Sequence, residues 1–149
     1  LVLSAQSAAI NEIKPGKHWN EPHDAAVRVL TEGMVELGVL KGDPEKLIKN
    51  DDYTKYYMHR TGHWLGMDVH DVGDYKLDGE WRMLEAGMVM TVEPGLYLPA
   101  NSKSLPNQWR NIGVRIEDDV LVTKDGYDIL SKDAPKTIDE IEELMADAA

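Results

Sequence analysis

A chain of 149 residues, 42% apolar and 29% charged, fits one soluble globular domain with a sizeable core and excludes a disordered polypeptide. Its net charge of −11 argues against nucleic acid or an anionic membrane as partner, and the lack of cysteine excludes disulfides, thiolate zinc sites and a cysteine nucleophile. Any metal must be held by His, Asp and Glu; with no apolar run near the ~20 residues of a membrane span and no signal-peptide pattern, a cytoplasmic location is expected.

The chain opens without a start methionine and already in a helical pattern. Over residues 1–14, Val2, Ala5, Ala9, Ile10 and Ile13 share one face, Lys14 falls in the last turn, and Pro15-Gly16 stops the helix. Such a start is expected of a piece cut from a longer polypeptide. A second helix is predicted over residues 22–37, with Asn20 as N-cap and Asp24 near its positive end. Ala26, Val29, Leu30, Met34 and Leu37 form its stripe, and Gly38 its C-terminal cap. The short turn makes the pair an antiparallel helical hairpin, with His18 and His23 beside it as surface or capping residues. Residues 41–44 read as a turn and 45–49 as a short helical piece, while Tyr53, Tyr56 and Tyr57 read as core or rim packing.

Residues 72–80 read as a polar loop. A β-segment over residues 88–93 closes at Pro94-Gly95 and resumes over 96–98, and residues 101–111 read as a loop. Residues 112–122 alternate as one strand, with Ile112, Val114, Ile116, Val120 and Val122 on one face and Arg115 and Glu117 on the other. A hairpin turn at Lys124-Asp125-Gly126-Tyr127 returns a short strand. Thr137 and Glu140 make a capping box for a last helix, whose stripe is Ile138, Ile141 and Leu144.

Candidate chemistry is densest over residues 59–71, which hold His59, His63 and His70 together with Gly62, Gly66, Asp68 and Asp71. Imidazole is the commonest neutral metal ligand, and glycine lets backbone approach a ligand closely. His59 and His63 are four apart, as in helical zinc-peptidase motifs, but Thr61-Gly62 and Gly66 argue for a looping segment that aims them at a cleft. Glu93 ends a strand before Pro-Gly, where a bend can re-aim a side chain. Glu117, beside Arg115, reads equally as a ligand or as half of an ordinary surface ion pair. If the two strands pair, both carboxylates meet a histidine in a set suited to Mn²⁺, Fe²⁺, Co²⁺ or Zn²⁺. A mononuclear iron site of two histidines and one carboxylate is the competing arrangement.

Three blocks carry a family likeness: His59 and His63 with Trp64-Leu65-Gly66-Met67-Asp68-Val69-His70-Asp71-Val72-Gly73, then Thr91-Val92-Glu93-Pro94-Gly95-Leu96-Tyr97, then Val114-Arg115-Ile116-Glu117-Asp118-Asp119. In order and spacing they resemble the Xaa-Pro aminopeptidases (aminopeptidase P) of the pita-bread metallopeptidases. The resemblance covers essentially the whole chain, including the hairpin and residues 37–43. It implies an α+β fold, with residues 1–149 as the C-terminal half of a pita-bread catalytic domain: a helical hairpin, an antiparallel curved sheet and a C-terminal helix.

The same resemblance implies two divalent metal ions, most often Mn²⁺, with His63, Glu93 and Glu117 as ligands and Glu117 bridging both ions. Glu93 would also accept the proton of the attacking water. His59 and His70 would bind substrate and stabilise the tetrahedral intermediate, and Arg115 and Tyr97 would orient the ligand carboxylates. The implied reaction is hydrolytic release of the first residue from peptides with proline at position two, by a metal-activated bridging water, in an enzyme that is a homo-oligomer at full length. Prolidase and a non-catalytic peptide-binding pita-bread module are the alternatives. Retention of His63, Glu93 and Glu117 favours an enzyme over the module.

Two departures qualify the likeness. The family builds its metal site from five residues, two of them aspartates upstream of the hairpin, and no such segment stands here. Arg60 occupies a position where glycine is common. The chain on its own is therefore expected to bind metal weakly and to lack peptidase activity.

Overall fold

The computed structural model describes residues 1–147. The three- and four-residue spacing of apolar side chains produces α1 (Val2–Asn11) and α2 (Glu21–Glu36), packed as the expected hairpin. Ala5, Ala9 and Ala26 are wholly buried and let the backbones approach, while Leu30 and Met34 fill the seam. Burial of a side chain such as Leu30 contributes roughly 1.5–3 kcal/mol. Gly38, at φ +70°, ends α2: the backbone N–H groups of Val39 and Leu40 turn back onto the Met34 carbonyl.

Four expectations for the hairpin need correction. The Asn20 side chain makes no cap hydrogen bond and donates instead to the Asp24 carboxylate at 2.6 Å. Helix α1 stops at Asn11, so Lys14 lies in the turn. The α2 stripe is rotated, with Val27 buried and Leu37 left 38% exposed, because α2 also packs against the segment that follows it. His23 is buried rather than on the surface.

Asp43 caps the short α3 (Pro44–Lys49) by accepting from the Lys46 N–H at 3.1 Å. The region predicted as a polar loop contains a small hairpin, β1 (Lys76–Leu77) with β2 (Glu80–Trp81). Its turn, Asp78-Gly79, has positive φ at both residues, as the tightest hairpin turns require.

The main sheet is a two-armed ribbon. One arm is β3 (Val89–Val92) followed by β4 (Gly95–Leu98); the other is β5 (Ile112–Arg115) followed by β6 (Asp118–Val122). Antiparallel β3 and β6 place Val92 opposite Asp118, and antiparallel β4 and β5 place Gly95 opposite Arg115. The single strand expected over residues 112–122 is thus two strands. Pro94 has no N–H to continue the ladder, so the ribbon breaks with Glu93-Pro94 facing Ile116-Glu117. Across this gap the Ile116 N–H reaches the Pro94 carbonyl at 3.4 Å.

β7 (Tyr127–Ile129) extends the sheet beyond β6 as expected. On the other side of β3, residues 61–65 run as an irregular edge. Glu93 N–H donates to the Thr61 carbonyl (2.7 Å), Thr91 N–H to His63 (3.0 Å) and Leu65 N–H to Val89 (3.1 Å). Helix α1 backs the sheet, with the Gln6 side-chain amide donating to the Val92 carbonyl. Val92, Val120 and Val122 are fully buried.

Helix α4 (Ile138–Asp147) begins at the predicted capping box: Thr137 N–H donates to the Glu140 carboxylate (2.9 Å), and Glu140 N–H to the Thr137 hydroxyl (3.3 Å). Its stripe residues Ile138, Ile141 and Leu144 are exposed, as is the whole of β5. Among the described residues, no helix is long and apolar enough to cross a membrane.

Candidate metal centre

The gap in the ribbon is where the candidate residues meet. The edge segment can lie on β3 because residue 62 is glycine; a Cβ there would drive into the Thr91 backbone carbonyl. That close seating brings His63 opposite Thr91. The Thr91 hydroxyl accepts the His63 backbone N–H at 3.0 Å and donates to the Glu93 carboxylate at 3.2 Å. One hydroxyl therefore ties the histidine's backbone to the neighbouring carboxylate.

The His63 ring is oriented by its own neighbour. Its Nδ1 lies 2.9 Å from the Trp64 carbonyl, a partner that can only accept, so Nδ1 carries a proton and Nε2 is the nitrogen left for a further partner. That Nε2 faces Glu93 Oε1 at 3.4 Å. Two acceptors this close call for a cation between them, either a proton or a metal. Glu117 completes the group: His63, Glu93 and Glu117 each offer a ligand atom, and these atoms lie within 4.8 Å of one another.

Partial burial, followed by the nearby Glu93 charge, pushes the Glu117 carboxyl above the usual carboxylate range; the Arg115 guanidinium opposes the shift. Crowded carboxylates of this kind are relieved by a divalent cation. One imidazole and two carboxylates, with the imidazole oriented through its other nitrogen, fit a first-row divalent metal.

The remaining candidates surround this group. His70 packs edge-on against His63, with ring centroids 4.3 Å apart. His59 directs Nδ1–H at the Arg60 carbonyl (2.7 Å), and its Nε2 accepts from the Tyr97 hydroxyl (2.8 Å). Arg115 Nε stands 3.8 Å from Glu93 Oε2, with its side chain half exposed. Among the described residues, the metal-suited group takes a single histidine from the dense 59–71 stretch, together with two carboxylates. No helix carries His59 and His63, as their glycine neighbours predict.

Sequence reasoning overlooked Thr91, although its i, i+2 relation to Glu93 on a strand places both on one face. It also misjudged His23, whose Nδ1 meets the Thr61 hydroxyl at 2.8 Å. Burial pushes the His23 imidazole down to about 4, helped by the charges of Arg60 and His59. No local pattern connects residues so far apart in the chain.

The profile of metallopeptidase family M24 matches residues 1–124. The chain is 50% identical over 145 residues to the Xaa-Pro aminopeptidase of Haemophilus influenzae, a match covering 97% of this chain and 33% of that protein. It is 43% identical over 148 residues to the Xaa-Pro aminopeptidase of Escherichia coli, covering 99% of this chain and 33% of the relative. Among solved structures, aminopeptidase PepP of Pseudomonas aeruginosa superposes with a TM-score of 0.97 at 58% identity, over 99% of this chain and 33% of that one. Aminopeptidase P from E. coli with the inhibitor Pro-Leu gives 0.93 at 44% identity, with the same coverage. The chain spans about a third of the length of the relatives it matches. Its helices and antiparallel strands match their pita-bread fold, in agreement with the α+β expectation.

Proposed function

Since the chain belongs to metallopeptidase family M24, we propose that it supplies part of the active site of an Xaa-Pro aminopeptidase, as the C-terminal half of its catalytic unit. The substrate is a peptide with proline at position two, and the reaction releases its first residue. The observation that carries this reading is the convergence of His63, Glu93 and Glu117 at the break between paired strands. The names of the relatives, Xaa-Pro aminopeptidase in each case, favour it over prolidase.

In this reading His63 Nε2, Glu93 and Glu117 would hold divalent metal, most often Mn²⁺, and a pair of ions where two further ligands are present. When bound, the metal supplies a Lewis acid for the scissile carbonyl and lowers the pKa of water. Glu93 takes the proton as the water oxygen attacks the carbonyl carbon. The proton then goes to the prolyl nitrogen as the C–N bond breaks. Thr91 holds the Glu93 oxygen that faces His63. His70, against the ligand histidine, and His59, joined to Tyr97, form the substrate side, where imidazole hydrogen bonds stabilise the developing oxyanion. Arg115, on β5, stands beside the second Glu93 oxygen and orients it.

The test is Mn²⁺-dependent release of the first residue from an Xaa-Pro tripeptide. The chain by itself is expected to give no turnover. A polypeptide joining it to two additional aspartate ligands is expected to turn over, and to lose that activity on Glu117→Gln. Cleavage of dipeptides alone would assign prolidase, and indifference to the residue at position two would sink the reading.

A further inference from the structure

Behind the His59–His63 segment lies a buried polar triad that the proposed chemistry does not use. Thr61 Oγ1 contacts His23 Nδ1 at 2.8 Å and the Tyr57 hydroxyl at 2.5 Å. All three residues are buried: Tyr57 has no exposed surface, Thr61 is 4% exposed and His23 9%. Each comes from a different place: His23 from the first turn of α2, Tyr57 from the segment after α3, and Thr61 from the edge of the sheet.

We infer that His23 and Tyr57 clamp Thr61, making His23 a positioning residue for the histidines on either side of it. This rests on the reading of His63 as a metal ligand. Proton bookkeeping gives the clamp a direction. If Tyr57 donates to Thr61 and Thr61 donates to His23 Nδ1, both hydroxyl protons are used within the triad. In the reverse direction the Tyr57 proton would need an acceptor outside it, and the phenol is enclosed. A neutral imidazole with a free Nδ1 lone pair fits this order, and burial keeps His23 neutral.

The consequence reaches the site along two routes. The Thr61 carbonyl accepts the Glu93 N–H at 2.7 Å, so the residue held by the clamp also sets the backbone of a ligand carboxylate. The Tyr57 ring stands edge-on to His59 at 5.1 Å, walling the imidazole that Tyr97 holds from the other side. Fixing residue 61 therefore fixes His59 two residues before it and His63 two residues after.

The test compares the whole chain with His23→Leu, His23→Asn, Thr61→Val and Tyr57→Phe. Histidine ¹H–¹⁵N spectra report the tautomers without metal, and calorimetry with MnCl₂ reports affinity. The wild type is expected to show His63 as a single Nδ1–H tautomer. His23→Leu and Thr61→Val should mix the His59 and His63 tautomers and weaken Mn²⁺ binding by about tenfold. His23→Asn, whose Oδ1 replaces the Nδ1 acceptor, should restore both.

Folded His23→Leu or Thr61→Val chains with wild-type tautomers and wild-type affinity would overturn the clamp. Should His23→Leu fail to fold, Thr61→Val and Tyr57→Phe carry the same comparison, since the first exchanges a hydroxyl for a methyl of the same shape and the second removes a hydroxyl. Mn²⁺ binding that is absent in the wild type, or indifferent to Glu93→Gln, would defeat the metal reading instead. The metal-free tautomers would then still decide the clamp.

Discussion

Strands β6 and β5, at the two ends of the β-ribbon, are built from similar residues and finish in opposite states. In β3 and β6, Met90, Val92, Val120 and Val122 are buried; in β5, Ile112 and Val114 remain 36% and 40% exposed. All the valines and isoleucines of residues 112–122 belong to one alternating pattern. What differs is the neighbour. The β3–β6 end is backed by α1 and flanked by β7 and the histidine edge, whereas β5 pairs with β4 and has an open cavity between Val114 and the Ile138 and Ile141 side chains of α4. Alternation makes a strand amphipathic, but a partner is needed to dry it.

The candidate metal centre lies on the boundary between these ends, and its ligands inherit the difference. His63 and Glu93, from the packed side, have side chains only 16% and 14% exposed and are held by Trp64, Thr91 and Thr61. Glu117, at the mouth of the open side, is the most exposed of the three. The packed end thus presents two candidate ligands already oriented, and the open end contributes a third that solvent reaches.

The largest contrast comes from placing the same charge at each end. Val120→Asp, in the packed end, is expected to cost more than ~4 kcal/mol, since a buried unpaired carboxylate has no compensation. Val114→Asp should stay within about 1 kcal/mol. Urea unfolding midpoints measure both, and equal losses would erase the distinction.

Acid provides the next test, because His23 belongs to the packed end. Its folded pKa of about 4 lies below the ordinary 6.5, so the unfolded chain binds the proton more readily in that window. Stability should be complete above about pH 6.5, fall by about 3 kcal/mol towards pH 4, and level off below. In His23→Asn this share of the pH dependence should vanish. A slope unchanged by that substitution would place the titration elsewhere.

Metal addresses the boundary itself. Mn²⁺ at about a hundredfold excess over its Kd should raise the unfolding free energy by about 2.7 kcal/mol, reversibly on adding EDTA. Glu93→Gln should abolish that gain; a mutant stabilised as much as the wild type would show that the ion binds at another place. The smallest effect belongs to the open side. Thr137→Ala should weaken α4 by about 1 kcal/mol, seen as faster amide exchange in residues 138–147 with none in β3. Acceleration in β3 as well would mean that the two regions unfold together.

The features legible from the chain were those that depend on near neighbours. Helix α2, the Thr137–Glu140 capping box and the hairpin before Tyr127 follow from spacing and local hydrogen-bonding chemistry, and all three form. The Asp78-Gly79 hairpin was legible too, but the polarity around it suggested a loop. The split of residues 112–122 was not, because its cause is Pro94 on the partner strand. The same applies to His23: a histidine beside a turn reads as exposed until the segment that buries it is in place.

Composition and order restricted the chemistry to oxygen and imidazole ligands, and the three spaced blocks pointed to the family. Those properties reside in residue identity and in intervals of a few positions, which a linear chain carries by itself. Folding alone selected one imidazole from three, turned its Nε2 toward Glu93, and brought Glu117 to meet them. Those residues are tens of positions apart, and their encounter depends on strand register, a proline gap and a glycine seat that exist only once the sheet has assembled.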